Sequence, residues 1–434
     1  MSNKFFIETY GCQMNTAESS AVRKELINRN WEEAGEPDSA DLIIINTCSV
    51  RATAEERIWG RLGFYKRMKK SRDFKLIVIG CMAERLKDDI KKKFPVVNEV
   101  ISNFKKDDIA NLADDDMSSI SAVKDGIDET YHFFENHDRL TPSHSMIPIM
   151  NGCDNFCTYC IVPYVRGHEI SRESSDIIKE INTLSEDGVS EITLLGQNVN
   201  SYKYDSYDFS DLIRLILSET DIKWLRFTSS NPQDFSDRLV QLIADEQRIC
   251  SFIHLPVQHG SDNILKKMNR KYTSADYYKL IEKLRAVPRN ISLSTDMMVG
   301  FPGETDDDFN KLCELIERVR YEEAFTYYYN PREGTKAWEF DNDVPHNLKI
   351  ERLNKIIEMQ QKITHQEKTK RLGTIVEAVV EGVSKKDSNE ILARTEKNSM
   401  VVFPGKITSE NDYVTIRLKE LRGNTFIGEK VCLN

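Results

Sequence analysis

The stretch DLIIINTCSV, residues 41–50, decides how the first part of this chain folds. Leu42, Ile43, Ile44 and Ile45 form an unbroken, mostly β-branched run, the pattern of a strand buried on both faces. The run ends at Thr47 and Cys48. Two other apolar runs end the same way, FFIETYGC at Cys12 and KLIVIGC at Cys81. Between them lie the helix-like stretches SAVRKELINRN and ATAEERIWGRLGFYKRMKK. Strands separated by helices predict an open parallel sheet, and parallel strands place all three cysteines on one edge. In such sheets the carboxyl edge is where ligands bind. Any one of these cysteines could be a small core hydrophobe. Their identical placement argues instead for three thiolates converging on one group.

The chain has 434 residues, enough for two to four domains of roughly 100–200 residues each. Its 60 basic and 70 acidic residues give a net charge of −10, unlike a general nucleic-acid coat. An acidic total leaves room for a local basic patch. No apolar run approaches the roughly 18 residues of a membrane helix, and the start lacks an export-signal pattern, so a cytoplasmic protein is expected. Nine cysteines, an odd number, in such a chain point to metal or redox work more than to a disulfide scaffold.

From about Met146 a second alternation begins. SMIPIMNGC, EITLLGQNV, WLRFTSS, SFIHLPVQ, SLSTDMMVG and EAFTYYYN read as six strands with helices between them. Six such units predict a partial (β/α)6 barrel, with its chemistry at the carboxyl ends of the strands. After a long amphipathic helix the composition shifts to Val, Ile and Thr with Gly turns, as in a small all-β barrel. The expected division is residues 1–112, an acidic linker at 113–145, a central domain at 146–370 and a β domain at 371–434.

NGCDNFCTYC, directly after the first barrel strand, spaces Cys153, Cys157 and Cys160 as C-x3-C-x2-C. Three close thiolates can reach three irons of one cubane cluster and leave the fourth iron open. A closed zinc site prefers four ligands and paired spacings. Cys250, Cys313 and Cys432 stand apart and read as structural.

CDNFCTYC resembles the radical S-adenosylmethionine (SAM) signature. That resemblance implies a 4Fe-4S cluster whose open iron is chelated by SAM. It places Tyr159 near the adenine, Gly196, Gln197 and Asn198 of GQNVN at the methionine end, and Gly300 of VGFPGET against the adenine. YGCQMN, NTCSVR, GCDNFCTYCIVPYVRGHEISR, LLGQNVNSY and HLPVQHGSD extend the likeness over the whole chain. Together they resemble the radical SAM methylthiotransferases, of the MiaB type. Asn231 in SSNP and His259 depart from the residues common there.

The family resemblance implies a second, auxiliary 4Fe-4S cluster on Cys12, Cys48 and Cys81, and a C-terminal TRAM barrel. It implies two uses of SAM: one methylates a sulfur on the auxiliary cluster, and the other yields a radical that removes hydrogen from C2 of N6-isopentenyladenosine beside the anticodon. Acid–base chemistry cannot activate that aromatic C–H, whereas a radical can. The implied partners are a tRNA anticodon stem-loop, an electron donor such as a flavodoxin-type protein, and an iron–sulfur assembly or sulfur-donor protein, for a monomer. Alternatives are the same transfer onto ribosomal protein S12 or threonylcarbamoyl-adenosine tRNA, or a non-catalytic iron–sulfur RNA-binding protein. Candidate phosphate contacts are Arg57, Arg61, Lys66, Arg67, Lys69 and Lys70 in the basic helix region, with Arg166 and Arg172 flanking the SAM-cluster loop. A charge run can equally be a solvated helix face.

Overall fold

A computed structural model describes residues 3–49, 52–103, 105, 109, 131–405 and 413–431, with the side chains of residues 52–54 undescribed. Strands β1 (Lys4–Thr9), β2 (Glu32–Glu33), β3 (Leu42–Thr47), β4 (Lys75–Gly80) and β5 (Glu99–Val100) form one parallel sheet in the order β2-β1-β3-β4-β5. Helices α1 (Gln13–Asn28), α2 (Ala52–Met68) and α3 (Cys81–Lys93) make the crossovers. Every residue of β3 is buried. Ile43 and Ile45 pack with Ile58 and Leu62 of α2, while Leu42 and Ile44 pack with Val22 and Leu26 of α1. The side-chain alternation of a strand thus feeds two cores, one on each face, and explains the unbroken apolar run.

The central domain has β6 (His144–Pro148), β9 (Glu191–Leu195) and β12 (Trp224–Phe227) in one parallel set. A second parallel set comprises β13 (Phe252–His254), β14 (Ser292–Val299) and β15 (Glu323–Tyr328). A single parallel bridge, Leu225 to Ile249, links the two sets. The result is the six-stranded partial barrel expected. Between β6 and β9, the short strands β7 (Met150–Asn151) and β8 (Ile170–Ser171) pair antiparallel and pinch the base of the cysteine loop. Two more short strands, β10 (Lys203–Tyr204) and β11 (Tyr207–Asp208), form a hairpin. The helices are α4 (Val162–Arg166), α5 (Ser174–Glu186), α6 (Phe209–Glu219), α7 (Asp237–Asp245), α8 (Asp262–Lys267), α9 (Ser274–Ala286), α10 (Asp306–Val319) and α11 (His346–Thr369). One large apolar core fills the barrel.

Strands β16 (Ile375–Val383), β17 (Glu390–Thr395), β18 (Met400–Pro404), β19 (Tyr413–Arg422) and β20 (Thr425–Lys430) close into a barrel in the order β16-β17-β18-β20-β19. This barrel is fastened to the amino-terminal ends of the central strands. Glu191, at the start of β9, is fully buried and accepts from Arg394 at 2.7 and 2.8 Å and from Arg226 at 2.5 Å. Trp224 and Cys250 pack against Val379.

The stretch expected to be a linker, 113–145, lies outside the described residues as far as 130. From Tyr131 onward it is packed rather than loose: Tyr131, His137 and Ser143 are buried. His137 meets Glu180 of α5 at 2.8 Å, which anchors this described part to the central domain. Among the described residues no helix is long and apolar enough to cross a membrane.

Candidate functional site: two cysteine triads on one seam

The three N-terminal cysteines sit at equivalent places. The register pairs Thr9 with Asn46 and Thr47 with Gly80, so Cys12, Cys48 and Cys81 follow the ends of three adjacent parallel strands. Glycines let them close up. A side chain on Gly11 would meet the Cys48 Cβ at 2.6 Å, and one on Gly80, at φ +94°, would meet the Thr47 carbonyl oxygen at 2.2 Å. Cys12 caps α1 and Cys81 opens α3, where unpaired backbone N–H groups favour negative charge. Buried polar groups lock the edge. Asn46 donates to the Asn15 carbonyl at 2.9 Å and to Ser19 at 3.0 Å, and Asn15 returns a bond to Asn46 at 2.8 Å. Cys48 and Cys81 are buried, whereas Cys12 is exposed.

The second triad lies on the loop pinched by β7 and β8. Each sulfur accepts from a neighbour: Cys153 from Asn155 at 3.3 Å, Cys160 from the Val162 N–H at 3.4 Å and Cys157 from Arg270 at 3.5 Å. Burial pushes the Cys160 thiol up to about 12 and raises Cys153 as well. Iron binding displaces such protons. Tyr159 packs edge-on to Phe301, with ring centroids 6.5 Å apart, which joins this loop to the VGFPGET turn. Gly300 there adopts φ +68°, and its N–H donates to Glu304 at 2.7 Å.

The two triads belong to one place. Cys81 packs against Ile161, the residue after Cys160, and against Val165. Asn103 donates to the Val165 carbonyl at 2.7 Å, and Arg166 donates to Glu18 at 2.9 Å. Met14 and Ala17 of α1 pack on Leu195, the last residue of β9. The carboxyl edge of the N-terminal sheet therefore faces the carboxyl ends of the barrel strands. Arg332, just beyond β15, is within electrostatic reach of both Cys48 and Cys160, and burial lowers its guanidinium below the ordinary value.

No three of the described His, Cys, Asp or Glu side chains close on a single metal ion. A cubane cluster asks for something else, because each thiolate binds a different iron and the sulfurs stand apart. Both donor sets suit one: three thiols apiece, a sulfur donor bond for each member of the second triad, and helix starts behind the first. The SAM candidates also fit a polar ligand. Gln197 Oε1, Asn198 Oδ1 and Ser230 Oγ are buried without a hydrogen-bond partner among the described residues, at the ends of β9 and β12. Asn198 is oriented by the hydrogen bond its Nδ2 donates to the Asp234 carboxylate at 2.7 Å.

Several expected contacts change. Arg166 and Arg172 are buried, at 2% and 4% exposure, and committed to Glu18 and Glu180. They are seam and core ion pairs, not RNA contacts. Arg61 is engaged by Glu8 at 2.9 Å and by Tyr65 at 3.0 Å. Lys66, Arg67 and Lys70 are exposed, and Lys69 bonds Asn98 at 3.0 Å. This run ends α2, whose 17 residues carry the chain roughly 25 Å back from the cysteine edge. Arg57, also exposed, lies nearer that edge. The two departures from family pattern hold structure: Asn231 caps Gln233, and His259 is buried against Glu304 at 3.2 Å. Sequence reading passed over Glu304, Arg270 and Arg332. Glu304 stood inside the quoted VGFPGET, and Arg270 follows HLPVQHGSD by eight positions, but neither has a spacing signal. Cys250 is buried and Cys313 half-buried against the barrel core, as structural cysteines would be, while Cys432 lies outside the described residues.

A parallel-sheet domain, a partial barrel with a C-x3-C-x2-C loop and a closed β barrel together define a radical SAM enzyme carrying a second cysteine triad. Comparison agrees. Residues 4–102 match the family described as Uncharacterized protein family UPF0004, 147–316 the Radical SAM superfamily and 369–431 the TRAM domain. The radical SAM methyltransferase TsrM from Kitasatospora setae shares the fold with a TM-score of 0.57 at 13% identity, over 76% of this chain and 72% of that one. Curated relatives named tRNA-2-methylthio-N(6)-dimethylallyladenosine synthase are 45% identical in Treponema denticola, over 97% of this chain and 98% of the relative. The Clostridium tetani relative is 40% identical over 98% and 96%. The chain belongs to the tRNA-2-methylthio-N(6)-dimethylallyladenosine synthase family.

Proposed function

We propose that this chain adds a methylthio group to C2 of N6-isopentenyladenosine next to the anticodon of tRNA. The observation that carries the reading is the contact of Cys81 with Ile161, which brings a sulfur-bearing edge against the SAM-cluster loop. A transfer that joins sulfur to a carbon activated elsewhere requires that adjacency.

Cys153, Cys157 and Cys160 would hold a 4Fe-4S cluster that binds SAM and supplies a carbon radical strong enough to remove an aromatic hydrogen. Cys12, Cys48 and Cys81 would hold the auxiliary 4Fe-4S cluster. Gln197, Asn198 and the Gly196 backbone would receive the methionine end of SAM, with Tyr159 and Gly300 bordering its adenine. Asp234 and Glu304 fix those groups. The seam of Met14, Ala17, Leu195, Ile161 and Val165 holds the two cysteine sets in a constant relation. An electron donor of the flavodoxin type, a sulfur-donating partner and a cytoplasmic setting complete the proposal.

The test is chemical. Reconstituted anaerobically with reductant, SAM and isopentenylated tRNA, the protein should yield 2-methylthio-N6-isopentenyladenosine by mass spectrometry of the digested RNA. Formation of 5′-deoxyadenosine with a methylthio group on a protein substrate instead would overturn the choice of substrate.

A further inference from the structure

A cavity of about 430 Å³ opens at the other end of the molecule, between the carboxyl end of α11, the amino-terminal ends of β14 and β15, and the C-terminal barrel. Five cations line it: Arg285, Arg320, Lys370, Arg371 and Lys397. Four carboxylates line it too, but each is already engaged. Glu322 accepts from Arg371 at 2.6 Å, and Glu367 accepts from Arg320 at 2.6 Å and Lys370 at 2.7 Å. Glu377 and Glu396 are taken by Lys223 and Arg289, each at 2.6 Å and each from outside the cavity. The walls are therefore left with an excess of positive charge in a chain whose net charge is −10.

Two donors there stand unused. Arg371 is 8% exposed, and its Nη2 has no hydrogen-bond partner among the described residues. Lys397 makes no hydrogen bond or ion pair among the described residues, and it sits half-buried on the same cavity wall as Arg371. Burial, with Arg371 adding to it, lowers the Lys397 ammonium below its ordinary value. Cations packed together with too few carboxylates are unfavourable unless an anion joins them. A guanidinium with a free edge beside an ammonium matches the oxygens of a phosphate group.

We propose that this cavity is a phosphate-binding site. The phosphate has two possible sources, the backbone of an RNA substrate or a free phosphorylated small molecule, and the cavity volume admits a nucleotide-sized group. The eight residues of β14 separate it from the cysteine edge by roughly 26 Å. An RNA stem can span that distance and engage both ends at once. The RNA source rests on the proposed function; the cavity itself does not.

The test uses the full-length, cluster-loaded protein and its K397Q, K397E and K397R variants, since Lys397 has no partner whose loss would unfold the chain. Two probes are titrated: a synthetic anticodon stem-loop RNA, and pyrophosphate followed by thermal shift. For an RNA phosphate, K397Q and K397E weaken RNA binding several-fold and lower its salt slope by about one, while K397R restores both. For a free phosphate, pyrophosphate stabilises wild type and K397R but not K397E, and RNA binding is unchanged. If neither probe distinguishes wild type from K397E, the site does not exist. Wild-type RNA that goes unmodified would refute the substrate reading while leaving the pyrophosphate result to decide the cavity.

Discussion

Arg166 donates to Glu18 at 2.9 Å across the seam between the two cysteine-bearing domains, with neither side chain above 2% exposure. Arg166 also donates to Asn151 at 3.0 Å, inside the β7 strand that pinches the SAM-cluster loop. One guanidinium thus ties α1, the helix that begins at Cys12, to the base of the loop carrying the other triad.

Removing one partner of such a pair leaves a buried charge without its counter-ion. R166M or E18L should each cost about 3–5 kcal/mol in anaerobic denaturation, and the double variant should recover much of it. RNA affinity lost without loss of stability would mean instead that Arg166 faces the substrate.

Gly80 tests the N-terminal site without touching a cysteine. An alanine there adds a Cβ at 2.2 Å from the Thr47 carbonyl oxygen on a backbone of φ +94°. G80A should lose about four irons and keep about four. G60A, whose added Cβ meets nothing within 4 Å, should keep all of them.

Acid should loosen the strand starts. Burial lowers His144 from 6.5 to about 4. Burial alone would raise Glu191, but Arg226 and Arg394 overcome it and hold the carboxyl at about 2. Between pH 6.5 and 4 the unfolded chain accepts a proton at His144 that the folded chain refuses. Stability from His144 is therefore complete above pH 6.5 and falls on acidification, by up to about 1.4 kcal/mol per pH unit. The Glu191 contribution is present above pH 4.5 and is lost as pH falls towards 2. Denaturation from pH 7 to 5 should show this slope in wild type and a smaller one in H144N; equal slopes would remove His144 from the account.

How much of this was legible follows from which residues carried a local signal. The strands before Cys48 and Cys81 announced themselves because a doubly buried strand carries an unbroken apolar run and a cysteine at its end interrupts it, while the less buried strand before Cys12 was read from its shorter apolar run FFI. The C-x3-C-x2-C loop was legible from spacing alone. Arg166 was not, because a basic residue beside a loop looks the same whether it meets RNA or a carboxylate 148 positions away. The basic run of α2 shows a related limit: composition shows charge, while the crossover decides how far from the cysteine edge that charge lies. Arg270 and Arg332 had no signal, since the closing of the barrel alone brings Arg270 to the Cys157 sulfur and Arg332 within electrostatic reach of Cys48 and Cys160.

Arg332 lies within electrostatic reach of both Cys48 and Cys160. R332Q should keep about eight irons and continue to form 5′-deoxyadenosine, while methylthio transfer falls. Equal loss of both products would show that Arg332 serves the SAM site alone.

The central claim is that two independent cysteine triads each hold a cluster and meet at one seam. Iron counting on anaerobically reconstituted protein tests it most directly. Wild type should hold about eight irons, and replacing either Cys12, Cys48 and Cys81 or Cys153, Cys157 and Cys160 by alanine should leave about four. About four irons in wild type, or none after either triple replacement, would contradict it.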